Sequence, residues 1–341
     1  MKRPDRLALA AFAASSVFAC TAPAPAPSPT PPPTPPPMTA EQSVDWYKKC
    51  WGLLNDKSWD AFQSCYAPDA TSDAVDSGMP PVSGSAAIIG AKKANMAATP
   101  DARGDVQLIV ANGNNLVSVA LWKGTHTAPM PGPDGKEIPA TGKKFGFLMG
   151  HALELDASRT AVRSDADYFE VGTYLAQLGL SKAPARPVME SGAAEPVVAI
   201  AKNDETEAAN VAVVTAMAEA LNKHDVKAVA GAYADSYVLH EIARPKDDNK
   251  KEALAVMAEL LKGFPDATFS TSRIFAAGDY VVVAGSFQGT NKGGIPSMGV
   301  KKNDKAVSLR SLDIFRLQDG KIVEEWLFYN GAAMAAQLGL Q

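Results

Sequence analysis

The strongest constraint on this chain is that most of it is written twice. Residues 53 to 67, LLNDKSWDAFQSCYA, align with residues 220 to 234, ALNKHDVKAVAGAYA, at an offset of 167. Leu54, Asn55, Ala61, Tyr66 and Ala67 thereby meet Leu221, Asn222, Ala228, Tyr233 and Ala234. Further on, Pro100-Asp101-Ala102, Gly113 and Gly124-Thr125 meet Pro265-Asp266-Ala267, Gly278 and Gly289-Thr290 at 165, and AQLGL at 176 to 180 recurs at 336 to 340. Self-similarity of this length implies two related domains whose loops differ by a few residues. A chain of 341 residues has room for both, at roughly 100 to 200 residues per domain. The expected bounds are 39-180 for the first domain, 181-203 for a Pro- and Ala-rich linker, and 204-341 for the second.

Each copy opens with a helix. Thr39 with Gln42 makes a capping box, and Asp204 with Glu207 stands at the same place in the second copy,. Val44, Tyr47, Trp51 and Leu54 fall on one helical stripe, repeated as Val211, Val214, Ala218 and Leu221, which reads as core. Another helix is expected near Asn249 to Lys262, striped by Leu254, Met257 and Leu261. The period then shortens to that of strands, at 268–275, 280–287, 305–317 and 321–329, with Asp319-Gly320 as a hairpin turn,. Asn112-Gly113 marks the first hairpin of copy one. Helices followed by a run of strands predict an α+β fold, with an antiparallel sheet packed on helices.

The first 37 residues do not fit this pattern. Lys2, Arg3 and Arg6 precede an apolar run from Leu7 to Ala19, too short to span a bilayer, which needs about 20 residues, and suited to export. Val17-Phe18-Ala19-Cys20 resembles the bacterial lipobox, so residues 1-19 are expected to be a lipoprotein signal peptide and Cys20 the lipidated residue. Residues 21 to 37 contain Pro at most positions and form an extended tether of about 3.1 Å per residue, so 20-38 is expected to hold the body off a membrane. The expected location is the bacterial cell envelope, at the outer membrane facing the periplasm. Two cysteines then remain in the exported chain, Cys50 and Cys65, and an oxidising compartment favours their disulfide. The net charge of -4 and the lack of a long basic run argue against nucleic-acid binding.

Copy two reads GFPDATF, AAGDYVVVAGSFQGT, DIFRLQDGKIVEEW and AAQLGL in order between 263 and 340. It resembles the SnoaL-like polyketide and ester cyclases of the NTF2-like superfamily. Copy one resembles them through GTHTAPMPG, PATGKKF and YLAQLGL. The resemblance implies two curled antiparallel sheets, each packed on helices around a conical, largely apolar pocket. Their sheet faces would form an intramolecular pseudo-dimer or a homo-oligomer. It also implies an acid about seven positions before the QLG block and a histidine after the second helix. Carried across, the acid position holds Glu170 in copy one and Asn330 in copy two, and the histidine position holds Asp73 and His240. Neither copy has both.

Abstracting a proton next to a carbonyl takes a base in a dry pocket and a partner for the oxyanion. Copy one offers Glu170 with His126 or His151, and copy two offers His240 with Asp313 and Glu325 nearby. Asp313, Trp326, Asp73 and Asn330 are further pocket candidates. No HExxH, CxxC, GxSxG or strand-borne GxGxxG occurs, so no cofactor is expected, and four scattered histidines speak against a dedicated metal cage. Two functions follow. The preferred one is a lipid-anchored module binding small apolar ligands; the other is a cyclase or isomerase with Glu170 as base.

Overall fold

The computed structural model describes residues 36–132, 136–182 and 184–340. The expected signal peptide, Cys20 and most of the tether lie outside them. The first helix begins where Thr39 caps it: Thr39 accepts the Gln42 N–H, and the Gln42 side chain accepts the Thr39 N–H in return. The first copy runs α1 (Ala40–Asn55), α2 (Trp59–Gln63), β1 (Tyr66–Ala74), β2 (Val82–Ser83), α3 (Ser85–Ala97), β3 (Arg103–Asn112), β4 (Asn115–Thr125), β5 (Met130–Pro131), β6 (Glu137–Ile138), β7 (Lys144–Leu155), β8 (Val162–Tyr168) and α4 (Val171–Gln177). After β9 (Val197–Ile200), the second copy runs α5 (Glu205–Asn222), α6 (Val226–Ala232), β10 (Tyr233–Glu241), β11 (Asp248–Asn249), α7 (Lys250–Gly263), β12 (Thr268–Ala277), β13 (Tyr280–Thr290), β14 (Ala306–Gln318), β15 (Lys321–Phe328) and α8 (Gly331–Leu338).

The sheets are ordered β2-β1-β8-β7-β4-β3-β9 and β11-β10-β15-β14-β13-β12. The α+β class holds, but the sheets are not wholly antiparallel. β1 joins β8, and β10 joins β15, in parallel. The reason is connectivity: a helix intervenes after the first strand of each copy, and the strand that pairs with it comes last. The stretch 181-203 is also more than a linker, since β9 adds a parallel strand beside β3. At the second copy's start, Asp204 accepts the Glu207 N–H, but no capping box closes. The Glu207 carboxylate is buried and accepts the backbone N–H groups of Lys202, Asn203 and Gly278 instead. Asp319 and Gly320 both take positive φ, 50° and 70°, as a two-residue hairpin turn of the I′ kind demands.

Strand alternation divides the core. Ile109, Ala111, Leu116 and Ala120 point to the helices of copy one and pack with Tyr47, Trp51 and Leu54. Their neighbours Leu108, Val110, Val117 and Val119 point the other way and share a core with Phe275, Val282, Leu312, Ile314 and Phe328 of copy two. The period of two makes each sheet a partition between its own helices and the other copy. At Gly150 the approach is close: a Cβ there would stand 2.9 Å from a Leu312 methyl. Around this apolar seam, Arg310 pairs with Asp73 and Asp76, and Arg273 with Glu154. The described residues form one compact body. Cys50 of α1 and Cys65, just past α2, are joined in a disulfide.

Candidate functional site

The helix-facing side of the second sheet encloses a cavity of about 240 Å³, closed by α5, α7 and the start of α8. Its wall is largely apolar, including Met217, Leu239, Val283, Phe287 and Phe315. Ser311, Asp313 and Phe315 reach it from β14 and Glu325 and Leu327 from β15, because alternate residues of a strand share a face,. Glu325 is buried and accepts the Tyr237 hydroxyl at 2.5 Å; Tyr237 in turn stacks on Tyr233, ring centroids 4.2 Å apart. Among the described residues, Asp313 accepts only the Ser311 hydroxyl, at 2.9 Å. A third acid, Glu241, accepts the Tyr329 hydroxyl at 2.5 Å.

Burial dominates the electrostatics here. It pushes the Asp313 carboxyl up to about 7 and, with the neighbouring charge of Asp313, the Glu325 carboxyl up to about 8. Glu241 is raised by burial as well, although the Tyr329 hydroxyl works against the shift. A carboxyl kept neutral in an apolar pocket is a hydrogen-bond donor, and two whose proton affinities differ can pass a proton. A wider depression of about 550 Å³ beside Glu205, Asn210 and the Asp319-Gly320 turn lies on the surface, apart from these acids.

The first copy keeps only about 40 Å³ at the matching place. Trp51 stands where copy two has Ala218, and its ring lies on Gly104, where an added Cβ would overlap it. Tyr47 replaces Val214 and donates or accepts a 2.7 Å bond with Ser118. The strand positions of Asp313, Glu325 and Leu327 are held here by His151, Asp165 and Asp167; Leu327 pairs across the ladder with Asp313 as Asp167 does with His151. His151 Nδ1 lies 2.6 Å from Asp167, Tyr66 donates to Asp165 at 2.7 Å, and Lys92 lies 3.3 Å from both carboxylates. Burial works against its ionisation, yet Lys92 and His151 hold Asp167 well below the usual carboxylate range. Asp165, next to it, is raised by burial and by the Asp167 charge.

Several expected site residues lie elsewhere. Glu170 caps α4 by accepting the Gly172 N–H and also accepts the Gly331 N–H of the other copy. It does not join His126 or His151, so the acid–histidine pair expected in copy one is not assembled. His126 is fully buried in the loop after β4 and takes the Thr141 N–H on Nδ1. Asn330 caps α8 and donates to the Asp76 carbonyl, and Asp73 is taken up by Arg310. His240 and Trp326 sit on the far side of the sheet from the cavity, because their neighbours Leu239, Glu241, Glu325 and Leu327 take the near side,. There the two rings stack at 5.2 Å, and His240 pairs with Asp247 and Glu324, which overcome the opposing effect of burial and raise it to about 9. Of the expected acids and histidines, the cavities hold Asp313 and Glu325 in copy two and His151 in copy one. Tyr237, Glu241, Tyr329, Lys92, Asp165 and Asp167 were not anticipated. The one usable signal was that Asp165 and Glu325 are acids at the same repeat offset of 160.

The profile of the SnoaL-like polyketide cyclases matches this chain over residues 41–178 and again over 211–338. The chain belongs to the SnoaL-like family. Among solved structures, a proposed SnoaL-like polyketide cyclase from Jannaschia sp. CCS1 shares 20% identity, covering 40% of this chain and 96% of its own, with a TM-score of 0.37. IdmH of Streptomyces antibioticus, a proposed polyketide cyclase, shares 27% over 38% of this chain and 98% of its own, with a TM-score of 0.33. AclR of Streptomyces galilaeus, a proposed hydroxylase, shares 25% over 40% and 83%, with a TM-score of 0.37. Comparison with curated proteins gives no match. This SnoaL-like chain therefore carries two family domains with unlike pockets: one open and acid-lined, the other filled by Trp51 and a charged network.

Proposed function

We propose that this is an exported, lipid-anchored binding protein in which the second domain takes one small, largely apolar molecule bearing a carbonyl, while the first domain is mainly its fused partner. The observation that carries the reading is that Asp313 and Glu325 line the same apolar cavity, where burial raises the proton affinity of both carboxyls. A ligand with an acceptor oxygen satisfies donors that a pure hydrocarbon leaves unmatched, and an unmatched buried donor costs about 1–3 kcal/mol. The cavity of about 240 Å³ lies below the usual range of drug-sized sites, about 300–1,000 Å³, so the ligand is small. The test is a thermal-shift and calorimetric titration with 1-tetralone against tetralin. The ketone is expected to raise Tm and to bind at least tenfold more tightly; equal affinities, or none, overturn the reading.

Two carboxyls of raised proton affinity in one cavity, Asp313 and Glu325, favour one second reading, a proton-transferring cyclase or isomerase with its chemistry in the second domain. Glu170 is occupied in two backbone hydrogen bonds and is not its base. Deuterium exchange at the α-carbon of bound 1-tetralone, accelerated by the protein and lost in Asp313→Asn, would support it.

A further inference from the structure

The small pocket of the first domain has chemistry that ligand binding in the second does not use. Two lone-pair atoms in it, His151 Nε2 and Asp165 Oδ1, are buried and have no hydrogen-bond partner among the described residues. Their residues are 8% and 3% exposed, and both line the same cavity of about 40 Å³. The imidazole is held from behind: its Nδ1 lies 2.6 Å from Asp167. The other oxygen of Asp165 is held by the Tyr66 hydroxyl. One metal-ligating atom from each of His151, Asp165 and Asp167 lies within 4.8 Å of the others.

Two buried, unpartnered polar atoms whose residues line one small cavity leave room there for a bound electron-pair acceptor. We propose that the first domain binds a divalent transition-metal cation of the Zn²⁺ or Co²⁺ class, with His151 Nε2 and Asp165 Oδ1 as ligands and water completing the shell. An imidazole and a carboxylate suit this class. A carboxylate behind the ligating histidine and a hydroxyl on the ligating carboxylate are the outer contacts such sites use to aim their ligands. Asp167 is thus a positioning residue. The pocket exceeds the roughly 10–15 Å³ that one water requires.

Lys92 explains how the site is kept without metal. Its ammonium lies 3.3 Å from one oxygen of each carboxylate, and on Asp165 that oxygen is Oδ2, not the unpartnered Oδ1. It is a tethered cation that partly neutralises the pair. Its side chain is 18% exposed, and a divalent ion bound beside it would meet like-charge repulsion. Metal and Lys92 therefore compete.

The experiment is Co²⁺ and Zn²⁺ titration of the untagged protein, followed by calorimetry and the Co²⁺ visible spectrum. One saturable site is expected, weakened more than tenfold by His151→Ala and by Asp165→Asn, about 10–100-fold by Asp167→Asn, and tightened severalfold by Lys92→Met. No saturable binding, or binding unmoved by His151→Ala, overturns the proposal. A pocket that holds only water gives that result. If His151→Ala does not fold, Co²⁺-induced paramagnetic shifts of the His151 ring signals in the wild type decide: shifts at His151 support the site, and shifts confined to other histidines refute it.

Discussion

The Glu170 carboxylate joins the two domains by accepting the backbone N–H of Gly331, while its other oxygen accepts the N–H of Gly172 at 2.7 Å. One side chain thereby serves the first turns of α4 and α8. A glutamine keeps only one acceptor oxygen and turns an NH₂ toward a backbone donor. Glu170→Gln is expected to lower unfolding stability by about 1–3 kcal/mol and to leave 1-tetralone affinity within twofold. Urea unfolding and calorimetry measure both; unchanged stability with lost binding would return Glu170 to the ligand chemistry.

Trp51 and Ala218 occupy the same repeat position and decide which cavity is open. Ala218→Trp is expected to abolish 1-tetralone binding in a protein that still unfolds cooperatively. Trp51→Ala empties a packed volume and is expected to cost about 3–5 kcal/mol. A ligand titration of Ala218→Trp that matches the wild type would place the binding site elsewhere.

The disulfide between Cys50 and Cys65 closes a loop of 15 residues in the first copy alone, since Met217 and Ala232 stand at these places in the second. In the chain-entropy account such a loop contributes about 3 kcal/mol. Replacing both cysteines by Ala is expected to lower the urea midpoint accordingly. Thiol labelling of the unreduced, unfolded protein is expected to find neither cysteine reactive.

Stability is expected to fall as pH rises from about 4 to about 8. Asp313 and Glu325 lose their protons near 4 when unfolded but keep them to about 7 and about 8 when folded. Between these limits the folded state binds more protons, so each rise in pH favours unfolding. Asp313→Asn cannot ionise, so relative to wild type it is expected to gain stability between pH 5 and pH 8. Urea unfolding at the two values reads the difference, and parallel curves would mean that Asp313 ionises normally.

At the other end of the chain, mass spectrometry of the mature N-terminal peptide is expected to show it starting at Cys20 with two or three acyl chains. An unmodified peptide beginning elsewhere, from cells with working lipoprotein processing, would end that reading.

Local chemistry made much of the fold legible. The Thr39 box, the Asp319-Gly320 turn and the strands around 268–275 and 280–287 depend on contacts a few residues apart, and the structure places them as expected, with β12 and β13 running two to three residues longer. The duplication made two sheet-and-helix units readable because equal patterns of burial demand equal packing. The parallel entry of β1 and β10, and the strand at Val197–Ile200, were not readable, since strand partners come from distant chain.

The sequence by itself determined the two copies, their α+β class, and the acids and histidines each copy owns. Only tertiary structure decided where those groups act. Facing is a matter of strand parity, and one step along the chain sends His240 and Trp326 to one side of the sheet and Glu241 and Glu325 to the other. Volume is a matter of neighbours brought from afar, so Trp51 fills one pocket by resting on Gly104, and Ala218 leaves the other open. Proton affinity follows from both, because burial in that open, apolar pocket is what raises the Asp313 and Glu325 carboxyls,.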